Sequence, residues 1–118
     1  MLTQIESLRE DTLVYELDGY VTNEDIDYID RGIEFMLSKL DTINLMIYIN
    51  AQGEGFDTLV KEFQVSKKYI DYINKIAYIS NKNYWNFLVS IDNLSTKYKE
   101  KYFDIDAIAK AWDWIDEN

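Results

Sequence analysis

Two short stretches of the chain are apolar almost without interruption: Ile43 to Ile49, and Ile76 to Ser80. Both are far too short to cross a bilayer, and neither alternates polar with apolar residues. A strand of that kind has to be covered on both faces, as a central strand is in a parallel sheet flanked by helices. The rest of the chain has to supply the covers.

The flanking segments carry the periods expected of them. Thr3 to Leu8 is a weak strand candidate, with Ile5 and Leu8 inward. Arg9-Glu10-Asp11 reads as a turn. Thr12 to Asp18 alternates, with Leu13, Tyr15 and Leu17 on one side and Val14, Glu16 and Asp18 on the other, so the two segments form an antiparallel hairpin. Thr22 is an N-cap, Asn23, Glu24 and Asp25 fill the first helical turn, and Asp25 completes a capping box with a shorter carboxylate. Ile26, Ile29, Ile33, Leu37 and Leu40 make one helical face. A second helix carries Phe56, Leu59, Val60, Phe63, Tyr69, Ile70 and Ile73. A third, capped by Asn81-Lys82-Asn83, turns Trp85, Leu88 and Ile91 inward. Tyr98 to Phe103 interleaves lysines with aromatics, as a protected edge strand does. Asp104 caps a last helix whose inner face is Ile105, Ile108, Ala109, Trp112 and Ile115, with Trp114 off that stripe. The order is β-β-α-β-α-β-α-β-α. It predicts an α/β fold with a mixed, mostly parallel sheet of about five strands and about four helices. The 118 residues suit one domain over 1–118, with no proline and little glycine to mark a linker.

Composition narrows the function classes. The formal net charge is −10, and the tightest basic feature is the pair Lys67-Lys68, which argues against a phosphate-backbone groove and against an anionic membrane surface. An acidic surface suits a basic patch on a protein partner. The chain has no cysteine and no histidine. Thiolate chemistry, disulfides and cysteine-based metal sites are out, and so is the commonest general base and metal ligand. No cofactor and no metal site is expected. The first ten residues carry charges and no apolar block, so no signal peptide is expected and the expected compartment is the cytoplasm.

Several pieces, in this order and spacing, resemble the SpoIIAA-like family of the STAS superfamily. They are Gly19-Tyr20-Val21-Thr22-Asn23-Glu24-Asp25, the strand and loop ending Gly53-Glu54-Gly55-Phe56, Lys75-Ile76-Ala77-Tyr78-Ile79-Ser80 before Asn81-Lys82-Asn83 and Trp85, and Phe103-Asp104 leading to Ala109-Lys110-Ala111-Trp112. The resemblance implies a mixed sheet with helices on it, similar also to the CRAL-TRIO lipid-binding fold. Better-known STAS domains bind partner proteins, and some are switched by phosphorylation of a serine that follows an Asp in the loop after the central strand. Here that loop reads Asn50-Ala51-Gln52-Gly53-Glu54-Gly55-Phe56-Asp57. It holds no serine, Thr58 is the nearest hydroxyl, and the phosphoserine switch is not carried over.

Ligands of open α/β sheets sit beyond the carboxyl ends of the strands. The expected site is therefore Asn50, Gln52, Gly53, Glu54, Gly55, Phe56 and Asp57, next to Ser80, Lys82 and Trp85, with Trp114 added as an aromatic contact. Gly53-Glu54-Gly55 lacks the third glycine of a dinucleotide fingerprint, and no Walker lysine follows. Glu54 and Asp57 are a carboxylate pair without a defined partner, and no enzymatic activity is expected. The reading is a binding or interaction module, with a regulatory role in view, that docks a protein partner or another copy of itself. The alternative is a carrier of a small apolar or lipid ligand in a cavity lined by Phe56, Phe63, Trp85 and Phe87.

Overall fold

The computed structural model describes residues 2–19, 22–51, 68–69, 71–80 and 99–117. Five strands, β1 (Leu2–Ile5), β2 (Thr12–Gly19), β3 (Ile43–Ala51), β4 (Ile73–Ser80) and β5 (Lys99–Asp104), lie in one sheet in sequence order. β1 runs antiparallel to β2, as the opening hairpin predicts, and β2, β3, β4 and β5 pair parallel, so the sheet is mixed. Among the described residues there are two α-helices, α1 (Asn23–Leu37) and α2 (Ile108–Asp116), where the sequence pattern predicts four. The predicted third helix and most of the second fall outside the described residues.

The apolar strands behave as their composition demands. Ile43, Leu45, Ile47 and Ile49 of β3 face α1, together with Leu13, Tyr15 and Leu17 of β2 and Ile76 and Tyr78 of β4. The intervening Met46 joins Val14, Ala77, Ile79 and Phe103 on the opposite face, beneath Ala111 and Ile115 of α2. Burying each of these larger side chains contributes about 2 kcal/mol. β2 alternates as predicted, but Val14 is as buried as its neighbours because α2 covers the second face.

α1 starts where the sequence places it. Thr22 accepts a hydrogen bond from the Asp25 backbone N–H, and the Asp25 carboxylate accepts one from the Thr22 N–H, which completes the capping box. Ile26, Ile29 and Ile33 are buried, while Leu37 and Leu40 are partly buried against the same core. The helix stops at Leu37 rather than near Leu40, with Ser38 as its C-cap.

Three details depart from the sequence reading. Leu8 is 66% exposed, because β1 ends at Ile5 and the chain turns away before reaching it. Ile73 opens β4 instead of closing a helix, and the N–H groups of Tyr72 and Ile73 both donate to the Tyr69 carbonyl in the turn that precedes it. Beside that turn, Asp30 accepts hydrogen bonds from the Tyr69 hydroxyl and from Lys68, at 3.4 Å, and so ties α1 to it. Ile105 is 53% exposed, because residues Ile105–Ala107 form a 3-10 turn and α-helical geometry begins only at Ile108. Counting an α period from Ile105 therefore gives the wrong phase: Ala111 is buried, Ala109 is exposed, and Trp114 packs on Phe103 with ring centroids 5.9 Å apart.

The carboxyl end of α2 is held from below. Its last turn contains no basic residue of its own. Lys75 of β4, only 2% exposed, donates from Nζ to the carbonyl oxygens of Trp114 at 2.6 Å, Ile115 at 3.5 Å and Glu117. These carbonyls stand at the helix end, at the negative pole of its dipole, and that of Trp114 also accepts from the Glu117 N–H at 3.2 Å. Its ammonium also lies 5.3 Å from the centroid of the Trp114 ring. On the outside, Arg9 donates from Nε and Nη2 to the two oxygens of Asp116, at 2.9 and 2.7 Å, and lies over the Trp112 ring.

Removing the Lys75 ammonium takes this donor away from the three carbonyls, and removing its stem as well leaves a void. Lys75→Ala is expected to cost about 3 kcal/mol and Lys75→Met about half of that, measured by urea unfolding followed through tryptophan fluorescence. Equal losses in the two variants would show that the ammonium alone matters and packing does not. The outer pair has a pH signature. Hydrogen bonds from Arg9, then the charges of Arg9 and Lys75, hold the Asp116 carboxyl below its ordinary value of 3.8. A folded value below the unfolded one adds stability that is complete above the ordinary value and lost as pH falls through the folded one. The stability difference between the native chain and Asp116→Asn is therefore expected to be flat near neutrality and to close as pH falls below 3.8; a gap that stays open through strong acid would rule out this linkage.

Candidate functional site

The parallel strands end side by side. Gly19 lies opposite Ala51, Asp18 opposite Asn50, Ile49 opposite Ser80, and Ser80 opposite Asp104. Gly19 has φ +65°, a left-handed conformation that suits glycine, and it turns the chain out of β2 at this edge. Because side chains alternate along a strand, the register sorts the edge into two sides. Ser80 and Asp104 lie on the α1 side, where Ser80 is buried and the Asp104 carboxylate accepts from the Asp106 N–H to start the 3-10 turn.

Glu16, Asp18, Tyr48 and Asn50 lie on the other side, at the carboxyl half of β2 and β3. The strands bring Glu16 opposite Tyr48 and Asp18 opposite Asn50. Nearer the middle of the sheet Val14 and Met46 are fully covered, but here the covering gives out. Glu16, Asp18 and Tyr48 are half-buried and Asn50 is exposed. The Asn50 Nδ2 donates to Asp18 Oδ1 at 3.1 Å, so the carboxamide and the carboxylate hold each other in place. Burial pushes the Tyr48 phenol above its ordinary value, and the negative charge of Glu16 beside it adds to the shift. The result is a strip of two carboxylates, a neutral phenol and a carboxamide on a rigid sheet. It can accept hydrogen bonds from ammonium or guanidinium groups and offer a ring face to a cation.

Of the residues the sequence nominates, the structure describes Asn50, Ser80 and Trp114. Asn50 and Ser80 stand at the ends of adjacent strands, but on opposite faces. Trp114 does not join them: α2 runs back along the sheet from the end of β5, which carries Trp114 to the amino end of β4, over Lys75. Gln52, Gly53, Glu54, Gly55, Phe56, Asp57, Lys82 and Trp85 lie outside the described residues, as do Phe63, Phe87 and Thr58. Sequence reasoning passed over Glu16, Asp18 and Tyr48. Their signal is faint, consisting of two acids on the outward phase of a strand whose last position, Gly19, is a glycine. No group of three or more Asp or Glu among the described residues is arranged to hold a metal ion. No helix among them is long and apolar enough to cross a membrane.

The comparisons bear on the whole architecture. A crystal structure of an uncharacterized protein of the DUF3478 family from Shewanella loihica PV-4, described as having a SpoIIAA-like fold, superposes with a TM-score of 0.69. It shares 18% identity, over 97% of this chain and 91% of that one, and at this identity the likeness speaks to the fold alone. No curated protein matches the chain. The family model described as SpoIIAA-like matches residues 12–116, from the first residue of β2 to the last of α2, and the chain belongs to the SpoIIAA-like family.

Proposed function

We propose that the chain is a cytoplasmic protein-interaction module that docks a basic segment of a protein partner on the strip formed by Glu16, Asp18, Tyr48 and Asn50, with no bond made or broken. The observation that carries this reading is the register of β2 and β3, which sets two carboxylates, a phenol and an exposed carboxamide in adjoining pairs where the covering of the sheet ends. The net charge of −10 favours encounter with a basic surface. Family membership supports a docking role, since the better-known STAS domains bind partner proteins. A regulatory role follows if the partner's activity depends on the contact.

The test is photo-crosslinking from an unnatural amino acid at position 50, carried out in the protein's own cells, with and without Glu16→Gln and Asp18→Asn. A single cross-linked protein is expected, with its yield lowered about tenfold by the paired substitutions and by raised salt. The same protein captured at the same yield by both forms would count against the acidic strip. Loss of capture together with a lowered unfolding midpoint would show damage to the fold rather than to an interface.

A further inference from the structure

At the opposite edge of the sheet and on its other face, α1 and β1 border a groove of about 380 Å³, a size in the range of small-molecule sites. Tyr28, Arg31, Gly32, Phe35 and Met36 of α1 line it, facing Gln4 of β1 and Leu13 of β2. Three features set it apart. Phe35 is 60% and Tyr28 45% exposed, so two rings stand open to the groove. Arg31 is the one charged residue lining it, and it makes no ion pair or hydrogen bond among the described residues, whereas Arg9, Lys68 and Lys75 are all engaged. Tyr15 is fully buried, yet its hydroxyl has no hydrogen-bond partner.

The third feature lies at Gly32. A Cβ at that position would stand 2.1 Å from the Tyr15 hydroxyl oxygen. The missing side chain is what lets this hydroxyl come up beneath the helix at Gly32, one of the residues that border the groove. A buried hydroxyl without a partner is costly to keep, and an unpaired guanidinium beside apolar walls is suited to a planar anion.

We propose that this groove binds a small organic carboxylate with an aromatic body. The carboxylate pairs with Arg31, and the ring packs against Tyr28, Phe35 and Met36. Glu24 and Asp25 line the neighbouring depression on the far side of Tyr28 and Arg31. Their charge keeps an anion at the Phe35 end. The site shares no residue with the acidic strip and stands or falls separately from the docking role.

Phenylbutyrate, its neutral amide and octanoate serve as probes, titrated into the nitrogen-15-labelled chain and followed by two-dimensional NMR. Phenylbutyrate is expected to shift the amide signals of Arg31, Gly32 and Phe35 saturably, and to bind more tightly than octanoate. The amide, and phenylbutyrate with Arg31→Gln, are each expected to bind about tenfold more weakly. Tyr15→Phe is expected to leave the affinity unchanged and the unfolding midpoint unchanged or raised, since it deletes an unpaired buried group that does not line the groove. The proposal is overturned by the absence of saturable shifts at millimolar phenylbutyrate, by shifts confined to other residues, or by equal binding of acid and amide. Unchanged affinity in Arg31→Gln would overturn it too, and octanoate binding as tightly as phenylbutyrate would overturn the aromatic body.

Discussion

A lysine ammonium buried under the end of a helix is the contact on which closure of the second face of this sheet depends. Lys75 occupies an interior position of β4, where a charge is tolerated only if its surroundings satisfy it. The three carbonyls at the end of α2 do so. The same contact places Ala111 and Ile115 over Val14, Met46, Ala77 and Ile79. Arg9 fastens the same turn from outside through Asp116, which links the connection between β1 and β2 to the far end of the described chain. The central strands are apolar on both faces, so a fold without this helix would leave one of those faces in water.

The first face is closed in a more ordinary way. α1 presents an isoleucine stripe to β2, β3 and β4, and its capping box sets where the helix begins. Asp30 then anchors the helix flank to the turn before β4 through Tyr69 and Lys68. The two covers are unequal in extent. Over β2 and β3 the cover thins towards the carboxyl ends of the strands, and that leaves the acidic strip half-open. On the other side, the outer flank of α1 rises above the short edge strand β1 and leaves a groove. Both candidate surfaces are thus margins of the layers that make the core.

Legibility in the sequence followed the strength of the local signal. The hairpin, the doubly buried β3 and the capping box at Thr22 each rest on a period or a pairing within a few residues, and each stands in the structure as read. The phase of α2 was misread because a 3-10 turn rises more per residue than an α-helix, and nothing in Ile105-Asp106-Ala107 announces it. Tyr69 and Ile73 fit a helical period by accident, since in the structure a turn separates Tyr69 from a strand that starts at Ile73. The candidate strip was invisible for another reason. Glu16 and Asp18 are far along the chain from Tyr48 and Asn50, and only the pairing of β2 with β3 brings them together.

From the order of residues alone it follows that two strands must be covered on both faces, that the chain opens with a hairpin and that a capped amphipathic helix follows. Those are consequences of side-chain polarity at short range. Tertiary structure alone decided that Lys75 lies under a helix end, that the hydroxyl of Tyr15 comes up beneath Gly32, and that Trp114 sits at the opposite end of the strands from Asn50. A buried charge, an unpaired hydroxyl and an edge pairing are each defined by what lies across from them, and the partner in every case comes from a distant part of the chain.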